Sequence, residues 1–113
     1  MNYNIKTVKS FDKEIKRLGK RYVSIADDYA ALLEELMQNP LLGTDPGGGF
    51  RKIRMRITSK GKGKSGGARV ITFTVIAAVD ETEINLLYIY DKAERSSISI
   101  SELEELIRRN GLE

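Results

Sequence analysis

Residues 50–78 read "FRKIRMRITSKGKGKSGGARVITFTVIAA". Ile53, Met55 and Ile57 alternate with Lys52, Arg54 and Arg56. A strand of period two therefore turns the apolar set toward a core and all three cations to the opposite face. The run "ARVITFTVIAA" at 68–78 is rich in β-branched residues and reads as the next strand. Between the two lies "SKGKGKSGGAR", whose Gly-Lys-Ser invites a phosphate-binding P-loop. That motif needs a glycine five positions before Gly63, where this chain has Thr58, and a helix after the loop, where this chain has a strand. The stretch is a basic hairpin.

Charge is concentrated there. Residues 51–69 hold Arg51, Lys52, Arg54, Arg56, Lys60, Lys62, Lys64 and Arg69 with no acidic residue, whereas residues 70–113 hold nine acidic residues against four basic. The formal charge of the whole chain is only +3. A single-signed patch on a balanced protein focuses a local field, and nucleic acid is the abundant polyanion it fits. Three same-face cations on one strand repel one another, a cost that an anionic ligand offsets.

Composition narrows the chemistry. The 113 residues suit a single domain spanning 1–113, and 41% hydrophobic with 31% charged content is that of a soluble globular chain. No apolar run approaches the roughly 20 residues that span a bilayer. The N-terminus lacks a basic region followed by an apolar stretch, so a cytoplasmic location is expected. With zero cysteines and zero histidines, disulfides, thiolate chemistry, a transition-metal site and a histidine base are all excluded. Catalysis falls to Lys, Arg, Tyr, Asp, Glu or hydroxyls, and no cofactor is expected.

Outward from the hairpin, the "NYNIKTV" segment reads as an edge strand with Tyr3, Ile5 and Val8 inward. Ser10 is placed to cap a helix with Phe11, Ile15 and Leu18 inward, ending near Gly19, its other face holding Lys9, Lys13, Lys16 and Lys20. A second helix starts at Ser24, with Asp27 at capping-box spacing and a stripe of Ile25, Tyr29, Leu32, Leu33, Leu36 and Met37, and stops before Asn39-Pro40. Residues 41–50, "LLGTDPGGGF", read as a loop. "EINLLYIY" is a further central strand after the turn Val79-Asp80-Glu81-Thr82, with Tyr90 able to stack on a base but assigned to the core on phase. Ser99 and Glu102 form a capping box for a last helix with Ile100, Leu103, Leu106 and Ile107 inward, closing at Asn110-Gly111. The order is β-α-α-β-β-β-α, an α+β fold.

That order, with "NPLLGTDPGGGFRKIRMR", "GKGKSGGARVI" and "LLYIYDKAERSSISISELEEL", resembles the RelE/HigB superfamily of toxins from type II toxin-antitoxin systems, most closely its HigB-like branch. The resemblance spans essentially the whole chain. It implies a RelE-like fold, a small mostly antiparallel sheet with two N-terminal helices and a C-terminal helix. It also implies a ribosome-dependent endoribonuclease, an mRNA interferase that cuts by metal-independent attack of the ribose 2′-OH on the adjacent phosphate. On that resemblance Lys52 and Arg54 match the family's basic residues on the strand after the glycine loop, and Arg69 the arginine that opens the next strand. Arg54 and Arg69 are the candidate bidentate donors to the scissile phosphate, and Lys52 is either the base, where flanking cations disfavour a further positive charge, or a charge that only steers the phosphate. The RelE branch places a further arginine and a tyrosine near its end, where this chain has Ala93 and Ser99. Tyr90, Lys92 and Glu94 are the local substitutes. Arg51, Arg56, Lys60, Lys62 and Lys64 would track RNA as point charges. The implied partners are the ribosome, mRNA and a cognate antitoxin whose acidic segment covers the basic face, toxin and antitoxin forming an oligomer. Two other readings compete. A ParE-type gyrase-poisoning toxin shares the fold but lacks the basic strand face, and a non-catalytic RNA-binding module would carry stacking aromatics on that face.

Overall fold

The computed structural model describes residues 2–112. The elements are β1 (Asn2–Thr7), α1 (Lys9–Arg21), α2 (Ile25–Gln38), β2 (Thr44–Gly47), β3 (Phe50–Met55), β4 (Ala68–Ala78), β5 (Glu81–Asp91) and α3 (Ile100–Arg109). One sheet runs in the order β1-β5-β4-β3-β2. β1 lies parallel to β5 at one edge, and the remaining pairs are antiparallel. The alternation of residues 50–57 has the expected result: Ile53, Met55 and Ile57 are buried, while Arg54 and Arg56 are exposed.

Each face of the sheet carries its own core. α1 and α2 bury Phe11, Leu18, Ile25, Leu32 and Leu36 against Ile53, Val70, Ile84, Leu86 and Ile89. α3 buries Leu103, Leu106 and Ile107 against Phe50, Ile71, Leu87 and Tyr90 on the other face. A bulge in β5 resets which residues meet which core. Ile71 pairs with Tyr88 but Thr72 pairs with Leu86, so Leu87 is the extra residue that shifts the phase of the strand. Before the bulge Ile84 and Leu86 face α1 and α2; beyond it Ile89 takes that face, and Tyr88 and Tyr90 turn toward α3.

Several local expectations are corrected. The segment 41–50 is not all loop, because Thr44–Gly47 folds back on β3 as a fifth strand. Its glycines and proline masked this in the sequence. Val8, not Ser10, caps α1. Ser10 lies just inside the helix and donates its hydroxyl to Leu87 O at 2.5 Å while accepting from Asn110 Nδ2. α1 runs past Gly19 to Arg21, since an isolated glycine costs a helix only about 1 kcal/mol. Ser24 caps α2 without a side-chain bond to the helix's own backbone, its Oγ accepting instead from Ser59 N, and Asp28 rather than Asp27 is the carboxylate it meets, at 2.7 Å. Asp28 also accepts from Thr58, tying α2 to the turn after β3. Met37 at 72% exposure and Tyr3 at 44% point outward. Ile100 is also partly exposed, but the capping box of Ser99 and Glu102 is present in full.

Two substitutions calibrate these contacts by urea denaturation. Ser99→Ala removes one cap and is expected to cost about 1 kcal/mol. Gly67→Ala is expected to cost about 3 kcal/mol, because its new Cβ would lie 2.2 Å from the backbone oxygen of Met55.

Candidate active site

β3 and β4 set the cations side by side. In the antiparallel register Arg54 stands opposite Arg69, and Arg69 opposite Tyr90 on β5. Directly opposed like charges destabilise a sheet. Arg69 is nevertheless only 7% exposed and has no carboxylate partner among the described residues. Its guanidinium donates to the carbonyls of Lys64 and Ala68 at 3.1 Å and of Ser65 at 3.3 Å. At least two of its five N–H donors are left for a ligand. Burial first, and the charge of Arg54 second, push Arg69 below its ordinary pKa, yet a guanidinium keeps its proton at neutral pH.

Lys52, Arg54, Lys64, Arg69 and Lys92 line one cleft of about 470 Å³ beside β3. Glu35 of α2 is the one carboxylate in that lining, 3.6 Å from Lys64 and about half exposed, so the pair contributes little. The fold brings the expected catalytic candidates Lys52, Arg54, Arg69 and Lys92 into one cleft, together with Lys64, which the sequence assigned to RNA tracking on the loop. The sequence missed Glu35, which carries no signal beyond its position on a helix. It also missed the rim formed by Leu42, Gly43 and Thr44. Gly43 passes so close that a Cβ would lie 2.4 Å from Lys52 O, at a φ of +95° that also favours glycine.

The other expected residues lie elsewhere. Arg51 donates to Leu42 O and Gly43 O and so pins the rim of the cleft. Arg56 lines the neighbouring hollow with Asp28 and Thr58, and Lys62 is exposed on the hairpin loop. Glu94 is not in the cleft. Arg17 grips both its oxygens and Arg21 one of them, which holds its carboxyl below the usual range. Tyr90 is in the core, as its phase indicated, with its hydroxyl buried and unpartnered among the described residues. Burial pushes its pKa up, opposed by Arg69 and Arg95.

Lys60 is the largest departure. It is not a mobile point charge but a buried ion-pair partner, 11% exposed, with Nζ 2.5 Å from an oxygen of the fully buried Asp91. Asp91 also accepts from Tyr22 OH at 2.6 Å and from the backbone N–H of Ala93 at 2.9 Å. Lys60 Nζ donates in turn to Gly66 O at 3.1 Å, and Lys92 N donates to Gly67 O at 3.0 Å. Both ends of the glycine-rich loop are thereby fastened to the end of β5. Burial pushes the Asp91 carboxyl up, but Lys60, Tyr22 and Ala93 together hold it below the ordinary range.

Among the described residues no group of three or more Asp or Glu is placed to hold a metal ion, and no helix is long and apolar enough to cross a membrane. Fold and cleft define a small α+β protein that gathers cations into one concave site. Residues 6–110 match the family model described as the RelE toxin of the RelE / RelB toxin-antitoxin system, and the chain belongs to that family. Membership implies an antitoxin as its partner.

Lys60→Met strands a buried carboxylate and is expected to cost about 3–5 kcal/mol in urea denaturation at pH 7. The lowered folded-state pKa of Asp91 gives a second expectation. Its stabilising contribution is present above the unfolded value near 3.9 and is lost as pH falls through the lower folded value. Stability measured from pH 6 to pH 2 should fall more steeply in the wild type than in Lys60→Met.

Proposed function

We propose that this toxin is an endoribonuclease that cuts messenger RNA on the ribosome and so inhibits translation. The observation that supports this reading best is the cleft itself, where five cations meet one carboxylate and Arg69 is buried with donors to spare. Cutting RNA through its own 2′-OH needs little else. One group must take the 2′-OH proton, others must oppose the charge that builds on phosphorus, and one must protonate the leaving oxygen.

Lys52, which lines the cleft beside Arg54, takes the proton while the 2′ oxygen bonds to phosphorus. Arg69 and Arg54, adjacent across the β3–β4 register, donate to the non-bridging oxygens of the phosphorane. Lys92, which also lines the cleft, gives its proton to the 5′ oxygen as the P–O5′ bond breaks. The products are a 2′,3′-cyclic phosphate and a 5′-OH end. Tyr90 supports Arg69 from the neighbouring strand, and Glu94 serves the fold through Arg17 and Arg21. The antitoxin neutralises the toxin by laying an acidic segment over the cleft.

The test is cleavage by the purified protein in a reconstituted translation reaction, with and without ribosomes, with 3′ ends mapped. Cuts confined to translating ribosomes are expected. Arg69→Ala and Lys52→Ala should each slow cutting by about 100-fold or more. Intact message in the presence of folded wild-type toxin would overturn the reading.

A further inference from the structure

A second basic surface lies away from the cleft, on α1. Lys9, Lys13, Lys16 and Lys20 are spaced four, three and four residues apart and are all exposed. At 3.6 residues per turn they fall within about 60° of arc and extend over about 16 Å. The opposite side of the same helix buries Phe11 and Leu18. The ion pairs of α1 belong to Arg17 and Arg21 on its flank, and among the described residues none of the four lysines has an acidic partner. At one end of the row, Lys9 and Lys13 share a hollow of about 180 Å³ with Arg109 from the C-terminal turn of α3. Lys9 is also the first residue of α1, where a cation opposes the helix dipole. The protein therefore bears both like-charge repulsion and an unfavourable dipole contact along this face, where four lysines have only Asp12 beside them and no ion pair with it.

We propose that the lysine face of α1 is a second RNA-binding surface, which grips the phosphate backbone of double-helical RNA. The chemistry of the face selects this ligand. Lysines act as point charges that suit phosphates and read no sequence. A single strand would call for aromatic side chains to stack on, and none lies on this arc. An acidic protein segment would call for apolar or aromatic anchors, and the arc has none of those either. A straight, rigid row of charges fits a rigid array of phosphates, and A-form RNA is held in this way by its backbone across a wide, shallow minor groove. α1 packs over β5, whereas the cleft opens at β3, so a duplex on the stripe leaves the cleft clear for a single strand. The inference deepens the reading of this protein as an RNA-directed toxin, but it stands on other residues and its test needs no cleavage.

The experiment measures affinity for a blunt RNA duplex of about 16 base pairs by fluorescence anisotropy across a salt series. Wild type is compared with a variant carrying Lys9→Gln, Lys13→Gln, Lys16→Gln and Lys20→Gln, and with one carrying Lys→Arg at the same four positions. The Gln variant, checked for wild-type helicity by circular dichroism, should lose about 100-fold in affinity at about 0.1 M salt, and its log–log salt slope should fall by about 3 to 4. The Arg variant should keep both. A Gln variant that binds duplex as tightly as wild type, or that loses only its affinity for an acidic antitoxin, overturns the proposal. If wild type cuts no message yet the salt slope still falls in the Gln variant, the nuclease reading fails and the duplex surface stands.

Discussion

The buried contact between Lys60 and Asp91 governs the geometry on which the rest depends. Taking a carboxylate and an ammonium out of water is expensive, and such a pair adds little net stability. Its effect here is conformational. The loop from 61 to 67 contains four glycines and would be costly to order by itself. Lys60 fastens its start to Asp91 and Gly66, and the bond from Lys92 N to Gly67 O fastens its end. Once held, the loop turns the carbonyls of Lys64 and Ser65 onto the guanidinium of Arg69. The same loop carries Lys64, and the residue after Asp91 is Lys92, so three of the five cleft cations take their places from one ion pair.

The cations themselves work against the fold. Arg54 and Arg69 oppose each other across two strands, and Arg69 is buried without a counter-charge among the described residues. Backbone carbonyls, which carry only partial charge, hold it instead. A carboxylate in their place would neutralise Arg69 and quench the field in the cleft. Proteins commonly give up stability at sites where activity needs a strained arrangement, and this cleft fits that pattern. On the proposed function, an acidic antitoxin or an RNA phosphate would supply the missing charge from outside.

Much of this was legible in the sequence, and the exceptions have physical causes. The alternation in "FRKIRMRI" fixes the face and the residues of β3, because a period of two is local and needs no partner. The capping box at Ser99 was likewise local. Lys52, Arg54 and Arg69 could be grouped because they flank one hairpin. The edge strand β2 was hidden by Gly47, Gly48 and Gly49 following a proline, a composition that normally marks a loop. Lys60 looked like its neighbours Lys62 and Lys64. What separates it is Asp91, 31 residues away and aligned with it only by the shifted phase of β5. Long-range pairing of that kind leaves no periodic trace.

The most direct measurement follows the arginine side chains themselves. Their Nε–H resonances can be recorded by NMR while a short single-stranded RNA, made 2′-deoxy at one position so that it cannot be cut there, is titrated into the toxin. Arg69 and Arg54 are expected to shift together and to saturate with the RNA, while Arg17 and Arg95, bound to Glu94 and Glu102, stay in place. Saturating RNA that leaves Arg69 unmoved would contradict the claim that this buried guanidinium is held open for a phosphate.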